Sequence, residues 1–296
     1  MNTGLRRIAL LGVGLMGLPV GRRLLQAGHA VCAFNRTIAK AEELAASGAT
    51  VAPDAATAVR GADTVLMLLH DGAAVAEVLL APATLAALQP GTLIIDMSSI
   101  KPAQARAHAA RLREHGVDYL DAPVSGGTTA AESGRLSIMV GGDAASFERA
   151  SPVFEPLGTP THVGPTGTGQ LTKLANQMIV GATIDIVAEA LVLAQRGGAD
   201  PAKVRQAIRG GFAESRILEL HGQRMVEQDF GKRAALTVQL KDMLNAAETA
   251  RGLDVDLPLT NLVGALYGDA TAHGFGDLDH SALFLEILRR SGAAPA

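Results

Sequence analysis

The first half of the chain alternates short apolar runs with longer amphipathic segments. Continuous runs rich in Val, Ile and Leu are typical of buried strands in a parallel sheet, and they occur at 8–11, 31–34, 64–69, 93–95, 117–120 and 136–140. Helical segments follow the first two runs at 15–27 and 38–47, and Gly28 is placed to end the first helix. This alternation predicts an α/β domain with a doubly wound parallel sheet and right-handed crossovers.

The pattern changes after a turn-rich segment at 161–169, which we interpret as a connector. Beyond it the periodicity is helical, with predicted helices at 166–197, 201–210, 216–228, 234–251, 258–272 and 280–290. The first of these is apolar on several faces, as expected of a helix buried between domains and against a second subunit. We therefore predict an N-terminal domain at 1–165, an all-helical domain at 166–296, and a homodimer or homotetramer.

Composition narrows the classes of function. A net charge of −3 and an aromatic content of 3% argue against a nucleic-acid partner. The single cysteine, Cys32, lies in an apolar run and is interpreted as a core residue rather than a nucleophile. The eight histidines show no ligand spacing, so no metal site is predicted. Arg6 and Arg7 before an apolar run imitate a secretion signal, but the glycines and Pro19 within that run disfavour this interpretation. Acidic residues interrupt the other apolar stretches, so none is expected to span a membrane. We therefore expect a cytoplasmic protein.

A Gly-rich turn follows the first predicted strand and opens the first predicted helix. Its residues are Gly12, Val13, Gly14, Leu15, Met16 and Gly17, a G-x-G-x-x-G in the context that dinucleotide binding requires. Gly12 permits the tight turn, and Gly14 permits a pyrophosphate to approach the backbone. Gly17 permits the helix to pack closely against the strand. This motif predicts a Rossmann domain; the alternative is a tight turn that binds nothing.

The end of the second strand bears on the choice between NAD and NADP. An acidic residue there would bind the ribose 2′-hydroxyl of NAD, but the chain has Asn35, Arg36 and Thr37. The Arg guanidinium and the Thr hydroxyl are suitable donors for a 2′-phosphate. We therefore predict that NADP (NADPH) is preferred, with NAD as the alternative. Asn35 and Thr37 are also common helix caps, a role compatible with phosphate binding.

Further polar groups stand out against the apolar background. In the segment 121–127, Ser125 precedes Gly126 and Gly127, a combination that exposes a hydroxyl and bare backbone N–H groups to a carboxylate. Lys173, Asn176 and Gln177 share one face of the long helix. Lys241 precedes Asp242 on a later helix, with Asn245 one turn on. Taken singly, each group also has an ordinary structural interpretation. The segment 121–127 would be a Gly-rich loop, Lys173 a surface lysine, and Lys241 with Asp242 a solvated helix face.

In their order, these segments resemble the motifs of the β-hydroxyacid dehydrogenase family, and the resemblance covers essentially the whole chain. They are the turn at 12–17, the loop at 121–127, the Gly167-x-Gly169-x-x-x-Lys173-x-x-Asn176 segment and Lys241-Asp242. Within the family, the residues at 171–177, 206–211, 257–260 and 279–283 are most similar to the tartronate semialdehyde reductase branch. The 3-hydroxyisobutyrate dehydrogenase branch usually has a second Asn where this chain has Gln177.

The resemblance implies a role for each matched residue. Lys173 is the expected acid/base, and Asn176 orients it and the substrate. Ser125, Gly126, Gly127 and Gln177 are expected to bind the substrate, with Thr128 nearby. Leu69, Ser99 and Lys241 match cofactor-contacting positions. The implied reaction is reduction of a small 3-oxo acid, with tartronate semialdehyde as the leading substrate.

Two positions depart from the family pattern and keep alternatives open. His70 stands where relatives commonly have Pro, and Ala234 and Ala235 replace a Phe-Arg pair, which puts the substrate in doubt. The alternative activities are 3-hydroxyisobutyrate dehydrogenase and glyoxylate or succinic semialdehyde reductase. A non-catalytic dinucleotide-binding module is disfavoured because Lys173 and Asn176 are present, and an imine reductase because such relatives generally replace the Lys.

Overall fold

The chain divides into two compact units, Met1–Lys173 and Leu174–Ala296, of which the computed structural model describes residues 4–292. The described strands all lie in the first unit: β1 Arg7–Leu11, β2 Ala30–Phe34, β3 Thr50–Val51, β4 Thr64–Met67, β5 Leu93–Asp96, β6 Asp118–Asp121, β7 Val124–Ser125, β8 Leu136–Gly141 and β9 Gly158–Gly164. The helices of this unit are α1 Gly17–Gln26, α2 Ile38–Ala45, α3 Ala55–Val59, α4 Gly72–Leu79, α5 Pro82–Ala87, α6 Pro102–Arg113, α7 Gly127–Glu132 and α8 Ala144–Phe154.

The strands form one sheet in the order β3-β2-β1-β4-β5-β6-β8-β7, with β9 beside β8. From β3 to β6 every pair is parallel. The strand order reverses between β1 and β4, and the helices that follow these two strands, α1 and α4, pack on opposite faces of the sheet. The carboxyl ends of two such strands are where open α/β sheets bind ligands. The predicted doubly wound parallel sheet is confirmed, with one antiparallel strand toward its edge, because β8 runs antiparallel to β6 and β7.

The sheet has an apolar core on each face. Successive residues of a strand point to opposite faces, and Ile8 and Leu10 of β1 lie in one buried cluster while Ala9 and Leu11 lie in the other. This is the doubly wound arrangement that the apolar runs predict. Cys32 is only partly buried, but it packs against the second cluster as a core residue. The run that imitates a secretion signal, residues 8–20, comprises most of β1, the Gly-rich turn and the first residues of α1.

The predicted connector at 161–169 is wrong in its first part. Residues Gly158–Gly164 form β9, which pairs in parallel with β8, and the following helix α9 runs over Thr168–Arg196 rather than from 166. The side chains of β9 are exposed or half-buried throughout. Because no side chain of this strand is fully buried, it lacks the apolar run that identifies the others.

The second unit consists of helices around its own apolar core. The boundary lies within α9, which is followed by α10 Pro201–Ile208, α11 Arg216–Glu227, α12 Leu236–Arg251, α13 Pro258–Ala270 and α14 Leu283–Arg290. A π-helical turn at Thr271–Phe275 extends α13, and a 3₁₀ turn at His280–Ala282 precedes α14. By length and composition alone α9 could cross a membrane. It also contributes Ile184, Ala188 and Leu191 to the core of this unit, as the central helix of a globular domain does.

Asp185 on α9 gives a prediction about pH. The residue is 8% exposed, and its Oδ1 has no hydrogen-bond partner among residues 4–292. Burial, with Glu189 nearby, raises its pKa to about 6. The folded chain thus holds this proton more tightly than the unfolded chain, so the folded state loses stability as pH rises from about 4 to above 6. A pKa shift of roughly two units corresponds to about 2–3 kcal/mol.

We therefore expect Asp185→Asn to raise the free energy of unfolding by about 2 kcal/mol at pH 8. The gain should shrink toward zero at pH 4, where the wild-type carboxyl is protonated. Urea unfolding at both pH values measures it, with Asp256→Asn on an exposed residue as control. A gain that is the same at both pH values would contradict the assignment.

Candidate functional site

The Gly-rich turn between β1 and α1 has the geometry that a dinucleotide needs. Gly12 has φ +104°, and a Cβ there would lie 2.4 Å from the carbonyl oxygen of Leu68. A Cβ at Gly17 would lie 1.9 Å from the carbonyl oxygen of Gly12. Around Gly14, in contrast, an added Cβ would meet nothing within 4 Å. The outer glycines are thus fixed by packing, while Gly14 leaves open space, as the predicted approach of a pyrophosphate requires.

Asn35 connects this turn to the end of β2. Its Oδ1 accepts a hydrogen bond from the backbone N–H of Val13 at 3.0 Å, and its Nδ2 donates to the carbonyl of Thr37 at 2.9 Å. Thr37 stands at the start of α2, but its side chain makes no capping hydrogen bond. Arg36 is exposed between them. The structure therefore brings the Gly-rich turn and the predicted ribose-binding segment together, with Asn35 as the link.

Buried polar groups fix the loops after β4 and β5. Asp96, fully buried at the end of β5, accepts hydrogen bonds at 2.9 Å from the Tyr119 hydroxyl and from the backbone N–H of Ser98. Ser98 Oγ accepts from the backbone N–H of Leu69, also at 2.9 Å. Burial raises the pKa of Asp96 to about 6 against these hydrogen bonds. The network links Leu69 to Ser98, the neighbour of Ser99, so that the loops carrying these two predicted cofactor-contacting residues, Leu69 and Ser99, are joined.

Asp121 fastens the start of α9 to the sheet. Its Oδ1 accepts from the backbone N–H of Gly167 at 2.7 Å and its Oδ2 from that of Gln170 at 2.8 Å. The Gln170 side chain, fully buried, accepts from the N–H of Ile100 at 3.0 Å and donates to the carbonyl of Ser98 at 2.7 Å. Lys173, half-buried, follows on this anchored turn. Sequence reasoning gave no role to Asp121 or Gln170, although an Asp ending an apolar strand is a signal for one.

The predicted substrate loop is only partly a loop. Val124 and Ser125 form β7 at the edge of the sheet, and Gly126, with φ +135°, precedes α7. A Cβ at Gly126 would lie 2.5 Å from Cβ of Ala130, so the turn requires glycine there. Ser125 is half-buried, while Gly126 and Gly127 are exposed. This surface is suited to hydrogen-bond a small carboxylate through a hydroxyl and backbone N–H groups.

In the helical unit, the polar residues of α9 and α12 are directly linked. Asn176 is half-buried and Gln177 is 7% exposed, and Gln177 Nε2 donates to Asp242 Oδ2 at 2.9 Å. Lys241 Nζ lies 3.2 Å from Asp242 Oδ1. Asp242 is only 1% exposed, so this pair is not the solvated helix face that its sequence alone would equally fit. Helical spacing places Lys173 on the same face of α9 as Asn176 and Gln177.

The two departures from the family pattern differ in how far they are exposed. His70 is exposed just before α4. Ala234 is exposed, and Ala235 next to it is 9% exposed and precedes α12.

Family models cover almost the whole chain. The model of the NAD binding domain of 6-phosphogluconate dehydrogenase matches residues 7–167. The model described as NAD-binding of NADP-dependent 3-hydroxyisobutyrate dehydrogenase matches residues 167–287. The change from one model to the other falls at the start of α9.

Individual relatives agree with these models. The chain is 44% identical over 288 residues to 2-hydroxy-3-oxopropionate reductase of Escherichia coli (strain K12), covering 95% of this chain and 98% of the relative. It is 33% identical to the NAD-dependent L-serine dehydrogenase of Pseudomonas aeruginosa, covering 94% and 97%. Among solved structures, 3-hydroxyisobutyrate dehydrogenase of Mycobacterium tuberculosis with L-serine superposes with a TM-score of 0.87 at 33% identity, covering 95% and 98%.

Proposed function

Since the chain belongs to the 3-hydroxyisobutyrate dehydrogenase-like family of NAD(P)-dependent β-hydroxyacid dehydrogenases, we propose that it reduces tartronate semialdehyde to glycerate with NADPH. The observation that carries this proposal is the presence of Lys173 and Asn176 on one face of α9, whose first turn Asp121 and Gln170 anchor to the strand ends. A lysine held on an anchored turn is suited to proton transfer, which needs a fixed geometry.

The residues of the chain have distinct roles in this reaction. Ser125, Gly126 and Gly127 bind the substrate carboxylate, and Asn176 orients the carbonyl group and Lys173. When bound, a nicotinamide would supply the hydride for the aldehyde carbon, and the carbonyl oxygen would become an alkoxide. Lys173 donates the proton that converts this alkoxide into the product hydroxyl.

The cofactor is bound by the turn at 12–17, by the residues after β2 and by the strand ends that carry Leu69 and Ser99. Lys241 is included because it matches a cofactor-contacting position of the family. Arg36 and Thr37, at the position where NAD-specific Rossmann domains carry an acid, support a preference for NADP.

This preference is tested by Arg36→Ala. We expect KM for NADPH to rise about 10–100-fold, because a charge-assisted hydrogen bond contributes roughly 1.5–3 kcal/mol, while KM for NADH changes less than twofold. Initial rates with both cofactors measure it, and Arg22→Ala, an exposed arginine on α1, is the control. An equal loss with NADPH and NADH would contradict recognition of the 2′-phosphate by Arg36.

Substrate choice within the family rests on sequence similarity and on Gln177. Ala234 and Ala235 weigh against carrying a substrate over from relatives, because one methylene in a pocket shifts selectivity by only about 1–3 kcal/mol. The deciding experiment compares tartronate semialdehyde, glyoxylate, succinic semialdehyde and methylmalonate semialdehyde as substrates with NADPH. We expect tartronate semialdehyde to lead by about 100-fold in kcat/KM, which is about 2.7 kcal/mol. A preference for another member, or a flat profile, would remove tartronate semialdehyde as the substrate.

The same proposal includes assembly of the chain with itself in the cytoplasm. Ile179, Ile186 and Leu193 recur every seventh residue of α9, and each is more than half exposed. Such a stripe of large apolar side chains is typical of a contact between subunits. Sedimentation velocity at micromolar concentration should give a dimer or tetramer, and a monomer would contradict this assembly.

A further inference from the structure

A network of side-chain amides joins Asp242 to Asn176 inside the helical unit. Gln177 Nε2 donates to Asp242 Oδ2 at 2.9 Å, and Gln177 Oε1 accepts from Asn176 Nδ2 at 2.9 Å. Gln239, fully buried, accepts from Gln177 Nε2 at 2.9 Å and donates to the backbone carbonyl of Gln177 at 2.8 Å. The four side chains belong to two helices and form one connected network.

Asp242 sets the direction of these hydrogen bonds. An ionised carboxylate only accepts, and the second oxygen of Asp242 lies 3.2 Å from the ammonium of Lys241. Gln177 must therefore turn Nε2 toward Asp242 and Oε1 toward Asn176. Because an amide oxygen only accepts, Asn176 must turn Nδ2 toward Gln177 and its own Oδ1 away.

The side chains of the network are tightly packed where α9 meets α12. A Cβ at Gly181, one turn after Gln177, would lie 2.6 Å from Gln239 Nε2 and 3.0 Å from Met243 Sδ. Buried amides are costly unless their hydrogen bonds are made, and a satisfied network holds one arrangement. The orientation of the Gln177 amide is thus fixed by its surroundings.

We propose that Gln177 is a positioning residue. Asp242 orients the Gln177 amide, and the Gln177 amide in turn orients the Asn176 amide, so that Asn176 Oδ1 faces the hydrogen-bond donors of the reaction. This role rests on the proposed reductase function and replaces direct substrate binding by Gln177. The Lys173 ammonium and the product hydroxyl are donors. An Asn176 amide turned the other way would place a donor against them.

A double-mutant cycle tests this role. Gln177→Leu should lower kcat about 10–100-fold with KM for the 3-oxo acid changed less than threefold, because orientation is lost and a substrate contact is not. Asn176→Ala should have an effect of the same order, and the double variant should be no slower than Asn176→Ala alone. Multiplied effects, or a raised KM with unchanged kcat, would overturn the proposal. Thermal unfolding and NADPH titration by fluorescence check that each variant folds and binds cofactor.

A polarity exchange separates positioning from simple loss of packing. Gln177→Glu alone sets two carboxylates against each other and should lower kcat strongly. Adding Asp242→Asn supplies an amide donor to the new carboxylate, which still accepts from Asn176 Nδ2. All variants of this comparison carry Gln239→Leu, because the Gln239 Oε1 that accepts from Gln177 Nε2 would otherwise face the new carboxylate. The pair of substitutions should therefore recover at least tenfold of the lost kcat, and no recovery would count against the polarity argument.

A readout without turnover distinguishes this inference from the proposed function. In the full chain labelled with ¹⁵N-Asn, the side-chain N–H signals of Asn176, assigned by their loss in Asn176→Ala, should shift in Gln177→Leu. If the wild type reduces none of the four aldehydes and the signals still shift, the reductase proposal fails and the network stands. If the aldehydes are reduced and the signals do not move, the network fails.

Discussion

Replacing Lys173 by Ala is expected to lower kcat about 10²–10⁴-fold for the preferred 3-oxo acid, the range typical of a lost general acid. The developing alkoxide would then take its proton from water. Lys173 lies on α9 after the turn that Asp121 and Gln170 anchor, whereas the Gly-rich turn is built by β1 and α1. The dissociation constant of NADPH should therefore change less than threefold. Single-turnover NADPH oxidation measures the first effect and fluorescence titration the second.

Lys173→Arg is the matched control for charge. It keeps the cation, but a guanidinium does not release its proton at any working pH. If Lys173 acts as the acid, the Arg variant should be nearly as slow as the Ala variant. If Lys173 acts only as a charge that binds the substrate, the Arg variant should recover most of the rate, which would remove Lys173 from proton transfer.

Gly14→Val is expected to weaken NADPH binding by at least about 100-fold, or about 2.7 kcal/mol, while the chain stays folded. An added Cβ at Gly14 meets nothing within 4 Å among the described residues, so we expect the free energy of unfolding to change little. The same volume lies where a pyrophosphate approaches the backbone, and each hydrogen bond lost to a charged group costs about 1.5–3 kcal/mol. Fluorescence titration of NADPH and thermal unfolding give the two measurements.

Gly17→Ala provides the contrast. Its new Cβ would lie 1.9 Å from the carbonyl oxygen of Gly12, so α1 must move away from the turn. Here we expect a loss of folding stability together with weaker binding. If instead Gly14→Val unfolds the chain, or binds NADPH as well as the wild type does, the assignment of this turn to the pyrophosphate is wrong.

The order of strands and helices follows from sequence because apolar periodicity is local. Buried strands of a parallel sheet are continuous apolar runs, and the runs at 8–11, 31–34, 64–69, 93–95, 117–120 and 136–140 each mark a strand that the structure contains. Strands without an apolar run escaped this test. Thr50–Val51 and Val124–Ser125 are two residues long, and Gly158–Gly164 is exposed or half-buried along its length.

The residues of the candidate site likewise fall into those that the sequence predicted and those that it did not. The Gly-x-Gly-x-x-Gly turn and the Lys173–Asn176 spacing were readable because their function depends on local backbone shape and helical repeat. Asp121, Gln170 and Gln239 carried no such pattern. Each of these residues bonds to a partner that is distant in the sequence. Asp121 and Gly167 are 46 residues apart, Gln170 and Ser98 are 72 apart, and Gln239 and Gln177 are 62 apart.

The sequence by itself thus determined the two kinds of domain, the dinucleotide turn and the face of α9 that carries Lys173. Only the tertiary structure decided that β8 runs antiparallel, that Asp121 holds the start of α9 and that Asp242 orients Gln177. The physical reason is that periodicity records how often a side chain is buried. Which donor meets which acceptor is fixed only when distant segments pack together and each buried polar group must find a partner.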